Sequence, residues 1–192
     1  MKSKLFIFLL FFSSNIFGSG GYDHGTSAGK GNWDISLTWN PFNYFSQGQS
    51  YAILGYGLTD RFDFHFYYSK PKYGESNYYY GLFYQFLKSN RLDLATSVGI
   101  RSFINKPDKH IFAPQLLYTL SLNENYKIGG SIVEIFDYSN KHKGTANDIF
   151  ISKKIFENKK IKIDFSIGIF FPVLWEPENN SWHPTYSFDF TF

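Results

Sequence analysis

Residues 185–192 read TYSFDFTF, with an aromatic ring at every second position: Tyr186, Phe188, Phe190 and the terminal Phe192. Ser187, Asp189 and Thr191 stand between them, so a β-strand here has one apolar and one polar face, whereas a helix would scatter the rings around its axis. The same two-residue period recurs along most of the chain. In the stretch before it, Ile161, Ile163, Phe165, Ile167, Ile169, Phe171, Val173 and Trp175 occupy eight consecutive odd positions, with Lys162, Asp164, Ser166 and Gly168 among the residues between them. Phe62, Phe64, Phe66 and Tyr68 alternate with Asp63, His65 and Tyr67, and Trp33, Ile35, Leu37 and Trp39 with Asp34, Ser36 and Thr38.

Two kinds of connection separate these segments. LTDR, KSNR, NENY and ENKK are short and polar; NPFNYFSQGQ, SKPKYGES, NKPDK, SNKHKGT and EPENNSWH are longer and rich in Pro, Gly, Asn and Lys. The kinds strictly alternate, so nine connections join ten strands, expected near 32–40, 50–58, 62–69, 77–87, 91–104, 110–122, 126–138, 146–155, 160–175 and 182–192. In 126–138 the parity breaks: Ile128 and Ile132 fall on one face, Val133 and Ile135 on the other, which predicts a bulge near Glu134 that keeps its carboxylate off the apolar face. Lys153 leaves 146–155 similarly ambiguous.

The composition decides what the apolar faces meet. With 23 Phe, 15 Tyr and 4 Trp, aromatics make up 22% of the 192 residues. A soluble sandwich or barrel would bury those rings and display charged residues. Here the polar face is the narrower one and carries Gly81, Gly99 and Gly168, as a constricted lumen requires. The fold class is therefore all-β, a closed antiparallel transmembrane β-barrel of about 10 strands, with 8 or 12 the alternatives if a hairpin is miscounted.

MKSKLFIFLLFFSSNIFGSG opens the chain with Lys2 and Lys4, then eight apolar residues from Leu5 to Phe12. Eight are too few for a membrane-spanning helix, which needs about 20, and the pattern predicts a signal peptide over 1–20, cleaved after Gly18 or Gly20, followed by one barrel domain over 21–192. The absence of cysteine excludes disulfides and a lipid-modified Cys. Without Lys2 and Lys4, 17 of the 19 basic residues remain against 16 acidic ones, no excess that would point to nucleic acid.

The signal peptide, the ten alternating segments and the closing YSFDFTF resemble the small outer-membrane β-barrel proteins of Gram-negative bacteria. The resemblance spans the mature chain and implies residence in the bacterial outer membrane among its lipids and lipopolysaccharide. It also implies that Tyr186, Phe188, Phe190 and Phe192 form the signal read by the barrel-assembly machinery. GLTDRFDF, residues 57–64, resembles the second-to-third-strand turn of several outer-membrane transporters.

If the turns are placed correctly, Asp34, Asp63, Asp93, Asp164 and Asp189 all point inward near the short-turn end. Such a ring would favour cations. Alternatively, since even an eight-stranded barrel is filled by its side chains, Arg91, Arg101, Lys127, Lys154 and Lys162 could pair with the acids and plug the lumen, together with Phe83, Phe103 and Phe170. His65 is expected inward among Tyr and Asp; His110 and His183 are expected near the other mouth. No HExxH or GxSxG marks a base or nucleophile, so no catalytic residue, metal ligand or cofactor is assigned. The loop lysines Lys70, Lys72, Lys106, Lys109, Lys141 and Lys143 suit anionic lipopolysaccharide head groups. The readings are a monomeric narrow channel or transporter for small polar or cationic solutes; a closed-lumen structural or surface-interaction barrel; and, third, an outer-membrane hydrolase.

Overall fold

The computed structural model describes residues 24–39, 49–71, 76–136, 139–171 and 182–192, with backbone alone at 39, 49, 50, 71, 103, 106–111 and 183. The expected signal peptide, most of the connections NPFNYFSQGQ and EPENNSWH and half of SKPKYGES lie outside these residues. The described chain contains β1 Trp33–Trp39, β2 Gln49–Gly57, β3 Phe62–Pro71, β4 Asn77–Leu87, β5 Leu92–Phe103, β6 Lys106–Phe112, β7 Gln115–Ser121, β8 Tyr126–Phe136, β9 His142–Glu157, β10 Lys162–Phe171 and β11 His183–Thr191. Each pairs antiparallel with its neighbours in the order β4-β3-β2-β1-β11-β10-β9-β8-β7-β5, and β4 pairs with β5 to close the ring. At the seam, the Trp33 N–H donates to the Phe192 carbonyl (2.7 Å) and the Phe192 N–H to the Trp33 carbonyl (3.0 Å). Closure gives every ring strand except β6 a paired neighbour on both sides among the described residues.

The ring has ten staves, because β6 and β7 both run along β5 and share one position. The single strand expected over 110–122 is thus broken at Ala113 and Pro114. Proline has no N–H for the ladder, but the stave stays tied on both sides: the Glu134 N–H donates to the Pro114 carbonyl (3.1 Å) and the Ala113 N–H to the Gly99 carbonyl (3.4 Å). NKPDK, expected as a loop, lies largely in β6. That strand ends the hydrogen-bonded order among the described residues, a place where Pro107, which lacks an N–H, is tolerated. SNKHKGT is likewise partly strand, since β9 starts at His142 and runs to Glu157, longer than the expected 146–155.

The registers around β8 and β9 resolve the two ambiguous segments. β8 pairs with β7 without interruption from Lys127 to Val133, and the bulge falls between Ile135 and Phe136, beyond the expected position. Glu134 therefore keeps the outward parity of Ile132, and near the long-loop rim it meets the His142 ring nitrogen Nε2 (2.5 Å) and accepts from the Thr145 hydroxyl (3.1 Å). Lys153 also lies on the outward parity, with its ammonium 5.8 Å from the centre of the Tyr126 ring at the short-turn end, where a long side chain can reach water.

Parity then sorts the barrel into two surfaces. Outside, Phe64, Leu82, Val98, Leu116, Ile132, Ile149, Ile151, Ile167 and Ile169 are exposed side by side. Aromatic pairs stand nearer the short-turn end, among them Trp33 with Tyr56 (centroids 4.6 Å apart) and Phe62 stacked on Tyr84 (4.4 Å). Inside, Ser36, Thr38, Ser69, Gln85, Ser97, Ser131, Ser152, Ser166, Thr185 and Ser187 are buried together with Asp63, His65 and Asp148. The barrel is inverted relative to a soluble domain.

Candidate functional site

The lumen is the site the fold builds, and its floor at the short-turn end is made by chain the strand pattern did not reveal. Residues 24–31, HGTSAGKG, lead into β1 from within the barrel. Gly29 and Gly31 adopt positive φ (82° and 81°), turning the chain inward just before the first strand. The Gly31 N–H donates to the Gly57 carbonyl of β2 (2.8 Å). The Asp63 carboxylate of β3 accepts from the Ala28 N–H (2.8 Å) and the Ser27 hydroxyl (2.7 Å), and the Gln85 side-chain oxygen of β4 from the Ser27 N–H (3.1 Å). The Thr26 hydroxyl donates to Asp93 of β5 (2.8 Å) and the Gly25 N–H to the Thr119 hydroxyl of β7 (3.0 Å). The segment thus passes five successive staves before His24 turns back to Asp34 of β1, with 2.9 Å between ring nitrogen and carboxylate.

This arrangement changes the role of the inward carboxylates. Asp34, Asp63 and Asp93 are occupied by the segment's own donors. Asp189 accepts from the hydroxyls of Ser36, Ser166 (2.8 Å) and Ser187 (3.1 Å), all on its own or adjacent strands. Of the five basic residues expected to plug the ring, Lys162 pairs with Asp164. The others do not join the plug as ion pairs among the described residues: Lys154 turns to Glu157 (2.6 Å), Arg91 is exposed at its turn, and Arg101 sits far from the floor with its guanidinium 5.5 Å from the centre of the Tyr67 ring. Lys127 lines the floor cavity beside Lys162. The polar plug is therefore mostly backbone, hydroxyl and carboxylate. Charge pairing has a smaller part in it than the sequence suggests.

Higher in the barrel the lumen is packed. Phe83, Ala95 and Leu117 form a buried apolar cluster, and Phe150 and Phe170 are buried on β9 and β10. Tyr79 lies across the Gly81–Gly99 pair, stacks on Tyr67 (centroids 5.5 Å apart) and shares a 2.8 Å hydrogen bond with Ser97. Nδ1 of the His65 ring is 3.4 Å from the same Ser97 hydroxyl, and Asp63 on the same strand is turned to Ser27 and Ala28. A cavity of about 20 Å³ beside His65 has room for a water molecule and none for a substrate. The side chains of Phe103, His110 and His183 lie outside the described residues. Asp148, which sequence reading did not single out because the parity of β9 was ambiguous, is buried and accepts from the Ser131 N–H (2.9 Å) and hydroxyl (2.5 Å).

The segment covers the β2-to-β7 side of the floor. On the other side is a cavity of about 140 Å³, lined by Lys127 of β8, Ser152 of β9, Lys162 and Asp164 of β10, Asp189 and Thr191 of β11, and Asp34. It has room for several water molecules among these polar groups. The residues of the closing strand lie on the other surface: Tyr186, Phe188, Phe190 and Phe192 share the outward parity, with Phe188 against Phe165 (5.1 Å) and Phe192 exposed.

Asp63 and Asp164 should respond differently to neutralisation. Asp63→Asn removes the charge from two hydrogen bonds that hold the segment in a buried place, and a stability loss of about 1.5–3 kcal/mol is expected. Asp164→Asn deprives Lys162 of its partner, but that lysine remains 26% exposed. Its cost should be smaller, about 1 kcal/mol, because a partly exposed ammonium is open to solvent screening. Urea titrations of the two variants and the double variant, monitored by tryptophan fluorescence, would measure this order; an equal or reversed order would mean that the segment is not held by Asp63.

No protein-family model matches the sequence, and no curated protein sequence matches it. Among solved structures, the chain is similar to the NanC porin in a rhombohedral crystal form, at 7% identity and a TM-score of 0.48, covering 83% of this chain and 98% of that one. It is also similar to the N-terminal β-barrel domain of Pseudomonas aeruginosa OprF, at 13% identity and a TM-score of 0.36, covering 85% and 99%. The class defined by the fold itself is the closed, ten-stranded antiparallel β-barrel.

Proposed function

We propose that the protein is an integral barrel of the bacterial outer membrane that carries a narrow path for small polar or cationic solutes. The continuous apolar outer surface supports the membrane setting: a band of Leu, Ile, Val and Phe flanked by Trp, Tyr and Phe suits hydrocarbon and its interface, and would be an aggregation surface in water. The observation that carries the path is the cavity of about 140 Å³ beside the floor, where the carboxylates of Asp34, Asp164 and Asp189 face Lys127, Lys162 and the His24 ring. Carboxylates in a constriction favour cations over anions. The packed rings above it keep any passage narrow. Lipid and lipopolysaccharide would be the surroundings of a single barrel, and its termini would face the periplasm.

Planar-bilayer recording of the refolded protein tests this reading, which expects small conductance steps that favour K⁺ over Cl⁻. A barrel that inserts and stays silent at all voltages would overturn the channel and favour the closed-lumen structural barrel. A protein that remains soluble and monomeric without detergent would overturn the membrane setting.

Assembly gives a separate expectation. If the exposed Phe192 ring is read by the barrel-assembly machinery, deleting it or making Phe192→Asp should lower the outer-membrane level of the protein several-fold without changing its synthesis, as measured by membrane fractionation. Unchanged levels would remove the assembly role from this residue.

A further inference from the structure

From the contacts of residues 24–31 we infer that this segment is a releasable floor, which leaves the lumen as a unit by swinging about Gly29 and Gly31. The inference rests on the proposed channel only for what the movement opens. The segment itself is the observation.

Its contacts divide sharply by chemistry. It offers Gly, Thr, Ser and Ala to the wall, and no large apolar side chain. What holds it is polar: three hydrogen bonds from Ser27 and Ala28 to Asp63 and Gln85, further ones from Thr26 and Gly25 to Asp93 and Thr119, and the contact of the His24 ring with Asp34 at its far end. Water can replace each of these when the segment withdraws, since the 140 Å³ cavity already lies against it. The staves behave differently, because their ladders have no alternative partner in an apolar surrounding. Gly29 and Gly31, both at positive φ, form the turn that joins the segment to β1, and glycine there can adopt other backbone conformations without steric cost.

Two contacts are steric and set the seat. A Cβ placed on Gly57 would lie 1.8 Å from the Gly29 carbonyl oxygen, a backbone atom that cannot turn aside. Any side chain at residue 57 must push the segment off the wall, while the ladder between β2 and β3 can persist because glycine is not required by the φ of that residue. A Cβ on Gly25 would in turn lie 2.7 Å from the Asp93 carbonyl oxygen, so the wall accepts this segment closely at these two points and holds it by exchangeable bonds between them.

The test uses the absence of native cysteine. Ser27→Cys in the folded protein, in lipid vesicles, is exposed to a water-soluble maleimide; release predicts steady labelling, and Gly57→Ala in the same background should label faster. In the pair Ser27→Cys with Asp63→Cys, whose native side-chain oxygens are 2.7 Å apart, oxidation should form a disulfide that locks the floor. Locking should abolish the conductance steps and a reductant should restore them; labelling is read only in the single-cysteine variants, because the disulfide consumes both thiols. The control is Glu124→Cys, at an exposed position in a short turn. If Ser27→Cys stays unlabelled while the control reacts, or if Gly57→Ala labels no faster, the floor is fixed and the inference fails. Labelling with bilayers that stay silent supports the releasable floor and overturns the channel instead.

Discussion

Ile167→Arg should cost the barrel about 2–4 kcal/mol in a lipid bilayer, the range for a cationic side chain at the midplane of a membrane barrel. Ile167 is the sixth residue of the ten in β10, outward and 45% exposed. It stands opposite Ile151 of β9 and Tyr186 of β11, and Ile151 in turn stands opposite Ile128 of β8, so the arginine would enter an unbroken apolar row. From mid-strand, its guanidinium cannot reach water as readily as Lys153 does at the short-turn end. Urea titration in vesicles, with Ile167→Leu as the near-neutral control, gives the difference directly. In a soluble barrel the same exposed position would accept arginine with little change, so an unaltered midpoint would place the outer surface in water.

Gly99→Val should be the more damaging change from the inside, with about 3 kcal/mol expected for overpacking a site that cannot expand. A Cβ at residue 99 would lie 2.3 Å from the Tyr80 carbonyl oxygen and 2.6 Å from the Tyr79 ring. Tyr79 is fully buried across Gly81 and Gly99, hydrogen-bonded to Ser97 and stacked on Tyr67. Because Gly99 pairs with Gly81 across β4 and β5, the strain falls on a seam of the ring and should reduce the fraction of protein that runs as the compact, heat-modifiable form in electrophoresis. Gly99→Ala should show the same direction with a smaller loss. A valine variant as stable as the parent would mean that the lumen at this level is open enough to take a side chain.

Where the period was clean, it was sufficient. The alternation in β1, β3, β4 and β10 comes from a two-residue repeat that any strand imposes, and an apolar outer face with polar inner residues follows from that repeat and the aromatic composition alone. Ten staves could be counted because short and long connections alternate. Pairing order, strand parity and the closing YSFDFTF are local or nearest-neighbour properties, and a chain carries such properties in its residue order.

The floor is another kind of property. HGTSAGKG has no period and no large side chain, so nothing local distinguishes a segment folded into a lumen from one left in solvent; its partners Asp63, Gln85, Asp93 and Thr119 are 35 to 94 residues away. The five aspartates were visible as a group, but whether they face lysines, each other or backbone N–H groups depends on which chain enters the ring. The same holds for the break at Pro114 and the bulge beyond Ile135, which are set by neighbours across the sheet. The sequence by itself determined a barrel with its apolar face outward, because alternation and composition act residue by residue; only the tertiary structure decided what fills the barrel, because that rests on contacts made after the ring has closed.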